Sequence, residues 1–238
     1  MSKNPICFAL DFPTLGAAAD FLRKDDLHAH IGAVKVGLEL FISSGPRSME
    51  ILHDEYGKDV VLDLKLHDIP ETVGRAVTAG GNLGAKYMTL HVQQKAAIEA
   101  AARAAEPFGI TLLGVTVLTS MASEDMSNLG MEKNLAGVSS VMFRAMKLVQ
   151  FAHGCGLRGF VCSPVEVKAL KELAPDSFFL VPGVRPAGSD AGGQKRLGTP
   201  GQAVKDGASL IVVGRPIRDA KDPVRAAKDI LAETVASA

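Results

Sequence analysis

The chain carries few of the features that mark a protein for secretion, a membrane or nucleic acid. Three cysteines in 238 residues are an odd number at spacings that match no metal motif, which argues against a disulfide framework and for a reducing compartment. Basic and acidic residues balance at 26 each, so no excess charge favours nucleic acid or an anionic membrane as a partner. No apolar run approaches the roughly 18 residues of a membrane helix, and the opening MSKNPICFAL lacks a signal peptide's apolar core. The expectation is a soluble, cytoplasmic protein with neither a membrane nor a nucleic-acid partner. No Pro/Ser-rich linker or composition shift divides the chain, which predicts one domain over residues 1–238.

What is present is an alternation of short β-rich apolar runs with Ala-rich helical runs. The predicted strands are 6–12, 33–40, 60–66, 87–92, 111–118, 159–163, 178–184 and 209–215. Helices are predicted between them, for example over 15–27, 71–84 and 95–107. Ser163-Pro164-Val165-Glu166 and Thr199-Pro200-Gly201-Gln202 read as capping boxes with proline at the first helical position, and Asp222-Pro223 as a simpler cap. Eight strand–helix units in 238 residues take about 30 residues each, the size of a βαβ unit. The predicted fold is therefore α/β, a single (β/α)8 TIM barrel. A doubly wound open sheet is the competitor, but LDFPTLG after the first strand is no GxGxxG turn.

A barrel gathers its chemistry at the C-terminal ends of its strands. Read in order, those ends carry Asp11, Lys35, Asp63 and Lys65 with Asp68 just beyond, then Thr119 and Ser120, Ser163, the PGVRP turn, and Gly214-Arg215. In VVLDLKLHDIP (60–70) alternation puts Asp63 and Lys65 on one face and Leu62, Leu64 and Leu66 on the other. With the leucine face buried, the charged face is expected to line a cavity, where opposite charges keep one another ionised. Asp68 has the opposite parity and need not point into its own barrel. A second cluster has the character of an anion site: Gly214 admits close backbone approach and Arg215 offers a forked donor. The Gly- and Pro-rich segment 182–200 is too long for a mere connector.

The order LDF, VKVG, DLKLHDIPETV, VTVLTS, PGVRP, GQKR, TP, VVGRPI resembles the bacterial form of the orotidine 5'-phosphate decarboxylase family over about residues 5–230. The most specific element is DxKxxDIP followed by Thr72. The resemblance implies a homodimeric barrel with shared active sites that needs no metal or organic cofactor and converts orotidine 5'-phosphate to UMP and CO2, the last step of de novo UMP synthesis. It further implies that Lys65 protonates the carbanion left by CO2, that Asp63 faces the substrate carboxylate, and that Lys35 bonds the ribose and Asp63. Asp68 is implied to serve the partner subunit's site, Asp11 and Thr72 to contact ribose, and Thr119 and Ser120 to read the pyrimidine edge. Arg185, Gln194, Gly214 and Arg215 are implied to grip the phosphate, with 183–195 as a closing loop, and Ile69 and Pro182 to complete the substrate contacts. The fourth strand departs from the family's HASGG type, reading His91-Val92-Gln93-Gln94-Lys95. Two alternatives remain open: a magnesium-dependent sugar-phosphate decarboxylase or aldolase of the same superfamily, with Glu39 as an acidic ligand, and an inactive barrel that only binds a phosphorylated ligand.

Overall fold

Strands that are apolar on both faces have to be covered on both, and here one face closes on itself while the other is clad by helices. A computed structural model describes residues 4–128, 134–135, 138–186 and 196–236. The strands are β1 (Ile6–Ala9), β2 (Ala33–Val36), β3 (Asp59–Leu66), β4 (Tyr87–His91), β5 (Thr111–Val115), β6 (Gly159–Val161), β7 (Phe178–Val181) and β8 (Leu210–Val213). They pair in parallel in chain order, and β1 closes the barrel on β8. Between them run α1 (Leu15–Arg23), α2 (Leu38–Ser44), α3 (Arg47–Tyr56), α4 (Pro70–Asn82), α5 (Lys95–Ala105), α6 (Ser123–Asn128), α7 (Ser140–Gly154), α8 (Val167–Leu173) and α9 (Pro200–Lys205). After β8 come α10 (Arg215–Arg218) and α11 (Pro223–Ala236). Asn134–Leu135 pairs antiparallel with Val138–Ser139 just before α7. Among the described residues no helix is long and apolar enough to cross a membrane.

The period of two along each strand produces two separate apolar cores. Side chains pointing into the barrel, among them Cys7, Ala9, Ala33, Val61, Leu113 and Leu180, form a small interior plug. Their neighbours in sequence, such as Phe8, Val34, Leu62 and Phe179, join the larger layer between strands and helices. The plug fills the bottom and middle of the barrel. Chemistry is left with the top.

All eight predicted strands are present, but most end earlier than the apolar pattern. Alternation continues through residues 10–12, 116–118 and 162–163 after the ladder has stopped, because the first loop residues still pack against the barrel rim: Leu10, Val117, Cys162 and Ser163 are all buried. The predicted strand over 33–40 breaks at Gly37, after which Glu39 lies exposed in the first turn of α2. The helix predicted to run to Leu27 stops at Arg23, because Asp25 and Asp26 take φ of 48° and 57°, left-handed values that a helix cannot continue through.

The predicted caps form in part. Thr199 Oγ1 accepts from the Gln202 N–H at 3.4 Å, while the Gln202 side chain turns forward to Asp206 instead of back. Asp222 accepts from the Arg225 N–H at 2.8 Å. At the other box only the reciprocal half is made: the Ser163 N–H donates to Glu166 at 3.0 Å, but Pro164 lies in a turn and the helix begins three residues later than expected, at Val167 with Glu166 as its N-cap. The Glu166 carboxylate has a second partner, Arg196.

Candidate active site

Climbing each strand in steps of two, from the plug to the rim, converts apolar side chains into functional ones. Cys7 and Ala9 lead to Asp11, Ala33 leads to Lys35, and Val61 leads to Asp63 and then Lys65. The register aligns them, Ala9 pairing with Lys35 and Lys35 with Val61, so the charges fall into one row across three strands. Lys35 Nζ lies 3.2 Å from Asp11 Oδ1 and 3.6 Å from Asp63 Oδ2, and Lys65 Nζ lies 2.8 Å from Asp63 Oδ1. The Lys35 and Asp63 side chains are each 12% exposed, against 30% for Lys65 and 49% for Asp11. The inner pair is therefore held by the protein, and Lys65 is the ammonium presented to whatever enters.

Lys65 achieves this with an unusual backbone. Its φ is +50°, a left-handed value that costs a non-glycine residue roughly 1–2 kcal/mol. The β3–β4 register shifts between Leu62 and Leu66, so the Lys65 N–H has no ladder carbonyl and donates to Thr89 Oγ1 at 2.9 Å. The same hydroxyl donates to Asp63 Oδ1 at 2.9 Å, so that it both accepts from and donates to β3. Thr89 is 1% exposed, a buried polar group that this double bond satisfies.

The ionisation states follow from the same contacts. For Asp63 burial is the largest single influence and pushes its pKa up, but Lys35 and then Lys65, helped by hydrogen bonds from Lys65 and Thr89, bring it below the usual carboxylate value. For Lys35 burial alone would lower the pKa, yet Asp63 and Asp11 together raise it above the usual lysine value. Cys7 sits beneath this row with its thiol pushed up to about 12, chiefly by burial. It is an inert plug residue.

Beyond the row opens a cavity of about 470 Å³. Its rim carries Thr119 past the end of β5, Pro182 and Arg185 past β7, and Gly214, Arg215 and Arg218 past β8. Of the residues expected from sequence, the structure brings together Asp11, Lys35, Asp63, Lys65, Thr119, Pro182, Arg185, Gly214 and Arg215 around this space. Ser120 lies on an exposed turn outside the lining, and Gln194, with most of the 183–195 loop, lies outside the described residues. Asp68 and Ile69 face a separate cavity of about 380 Å³ with His67, His91 and Gln94. Thr72 is exposed on the first turn of α4.

Sequence reasoning missed three contributors. Thr89 carried a signal, since it lies two residues along from the inward Tyr87. Arg218 did as well: it follows Arg215 by one helical turn, donates to the Asp11 carbonyl at 3.1 Å and forks onto Asp219. Gly37 is the third. A Cβ there would come within 2.9 Å of Lys35 Nζ, so its absence makes room for the ammonium. The magnesium-dependent alternative finds no support: Glu39 stands exposed on α2, and among the described residues no three His, Cys, Asp or Glu side chains are grouped to hold a metal.

A row of alternating ammonium and carboxylate in a cavity whose rim also carries Arg185, Arg215 and Arg218 suits a small anionic molecule. Fold and site thus define a (β/α)8-barrel enzyme with an anionic substrate. The family model "Orotidine 5'-phosphate decarboxylase / HUMPS family" matches residues 4–230, and the chain belongs to that family. Curated relatives named orotidine 5'-phosphate decarboxylase include one from Anaeromyxobacter sp. (strain K), 45% identical over 95% of this chain and 96% of its own length. Another, from Erythrobacter litoralis, is 43% identical over 96% of this chain and 98% of its own. The crystal structure of orotidine 5'-phosphate decarboxylase from Lactobacillus acidophilus superposes with a TM-score of 0.80 at 34% identity, covering 97% of this chain and 99% of that one.

Proposed function

We propose that this cavity decarboxylates orotidine 5'-phosphate to UMP and CO2, the last step of UMP biosynthesis, with Lys65 as the proton donor. The chain acts as a carboxy-lyase, as its family membership and closely similar curated relatives support. The observation that carries the assignment of roles is the Lys35–Asp63–Lys65 row, in which the more exposed ammonium is braced by a buried carboxylate 2.8 Å away. When the bond to CO2 breaks, its electron pair stays on the ring carbon. The Lys65 ammonium stabilises that developing charge and then transfers a proton to it, leaving a neutral amine that solvent reprotonates. Asp63 faces the carboxylate that leaves and keeps Lys65 aimed, while Lys35 and Asp11 hold the ribose.

Thr119 and Ser120 read the edge of the pyrimidine and Pro182 packs beside it. Arg185, Gly214, Arg215 and Gln194 hold the phosphate, far from the reacting carbon, so that its binding energy serves to close and order the site. The 183–195 segment acts as the closing loop. Asp68, Ile69 and Thr72, which face away from their own cavity, serve the site of a second copy across a two-fold axis. No metal or organic cofactor takes part. The whole chain works as one domain in the cytoplasm.

The test is an ultraviolet assay of orotidine 5'-phosphate loss, with and without a chelator, on wild type and Lys65→Ala. Wild type should turn over equally in both conditions. Loss of a general acid costs about 10²–10⁴ in rate, so a Lys65→Ala enzyme that keeps more than about a hundredth of wild-type kcat would overturn the role given to Lys65.

A further inference from the structure

Arg196 lies outside the cavity, yet it collects acceptors from two segments remote in sequence. Its side chain is 11% exposed. Nη2 donates to the carbonyl oxygens of Val117 at 3.0 Å and Leu118 at 2.7 Å. Nη1 donates to Ser163 Oγ at 3.3 Å and pairs with the Glu166 carboxylate, which is 1% exposed. Glu166 is itself fixed, its other oxygen accepting the Ser163 N–H at 3.0 Å. Two residues beyond Arg196, the Gly198 carbonyl accepts the Arg185 N–H at 2.9 Å. One guanidinium thus joins the rim after β5 to the rim after β6, whereas Arg185 is held by a backbone bond that the Arg196 side chain does not make.

Stability alone is a poor reason for such a group. Burying an ion pair costs about as much desolvation as it returns in attraction, and apolar residues of similar volume often serve equally well. What an apolar pair cannot do is hold two successive carbonyls in a fixed direction. Val117 and Leu118 lead directly into Thr119, and all three line the cavity. Only a planar fork can bond both carbonyls from one nitrogen while its other nitrogen is anchored.

We propose that Arg196, anchored by Glu166, is a positioning residue that sets the 117–120 segment and thereby controls recognition of the substrate's planar ring, separately from its phosphate. This rests on the reading of Thr119 and Ser120 as the ring-facing pair. The probes are UMP, which has ring and phosphate, and ribose 5-phosphate, which has the phosphate alone.

Calorimetric titration of wild type, Arg196→Ala, Arg196→Lys and Glu166→Gln separates the possibilities. Charged hydrogen bonds are worth about tenfold or more in an equilibrium constant, and these, made within the protein, reach the ligand through the placement of residues 117–120. Arg196→Ala should therefore weaken UMP by about tenfold or more and change ribose 5-phosphate by less than about twofold. Arg196→Lys should recover only part of the UMP loss, because a lysine has no fork. Glu166→Gln, which leaves a neutral acceptor for the guanidinium and guards against a misfolded Arg196→Ala, should give a smaller loss confined to UMP. Equal losses on both ligands, in either foldable variant, would make Arg196 a general structural residue and overturn the inference, as would unchanged UMP binding. A wild-type protein that binds ribose 5-phosphate but gains nothing from the ring would instead overturn the reading of the site on which the inference depends.

Discussion

At the scale of single residues, Asp63 and Lys35 at the centre of the site are each kept charged by their neighbours. Because Asp63 has its pKa below the usual value of 3.8, its pairing stabilises the fold at neutral pH and that contribution is lost as pH falls through the acid range. Lys35 lies above the usual 10.5, so its contribution is complete below that pH and is lost as pH rises beyond it. Asp63→Asn should therefore destabilise the protein by about 1.5–3 kcal/mol near pH 7, the worth of a charged hydrogen bond. The gap to wild type should narrow as pH falls below about 4, and calorimetric Tm against pH reads this directly. A constant gap across the acid range would place the effect in packing instead of charge. Gly37→Ala tests position without removing any charge. At φ −94° and ψ −175° an alanine is sterically welcome, and the atom it meets at 2.9 Å is the tip of a flexible lysine, so Tm should barely change. The Lys35 ammonium, however, must move, and misplacement of about 1 Å can cost up to 10²-fold in rate. A variant with native Tm and kcat/KM reduced by about tenfold or more is the expected result.

At the scale of elements, β3 and α10 do different work. The register shift in β3 releases Lys65 from the ladder and turns it toward the cavity, and Thr89 on β4 supplies the hydrogen bond that the ladder no longer makes. The short α10 begins at the rim, so Arg215 and Arg218 both reach the cavity within one turn of Gly214. If Arg215 holds phosphate, Arg215→Ala should lower kcat/KM for orotidine 5'-phosphate by roughly tenfold to a few hundredfold, the equivalent of about 1.5–3 kcal/mol. On orotidine, which has no phosphate, the variant and wild type should be almost equally poor. An equal loss on both substrates would put Arg215 in the fold or the chemistry.

At the scale of the whole molecule, the closed barrel leaves Asp68, Ile69 and Thr72 facing outward at its rim. Ile69 is 62% exposed, and Asp68 belongs to a cavity that the reactive row does not touch. An isologous two-fold contact would bury the same patch on both copies and deliver each Asp68 to the other's site. Subunit exchange between inactive Lys65→Ala and Asp68→Ala should then restore roughly one working site per mixed dimer. Mixtures as inactive as either parent would mean that Asp68 acts within its own chain.

The residues themselves determined a great deal. Period-two apolar runs at a spacing of about thirty residues specified eight parallel strands, and parity anticipated that Asp63 and Lys65 line the cavity and Asp68 does not, although Lys65 gets there through a register shift that alternation does not foresee. Those are local properties, written in consecutive positions. Where each strand stops was not legible, because a rim residue buried in a loop shows the same apolar pattern as one in a ladder. Nor was any partnership between groups remote in sequence. Thr89 meets Asp63 from 26 positions away, Arg196 meets Val117 from 79, and Arg218 meets the Asp11 carbonyl from 207. The Arg218–Asp11 separation collapses only when β1 pairs with β8, and the other two only when neighbouring strands are packed in register. A polar side chain acquires its function from the atom it ends up facing, and in a closed barrel that atom is chosen by the tertiary structure.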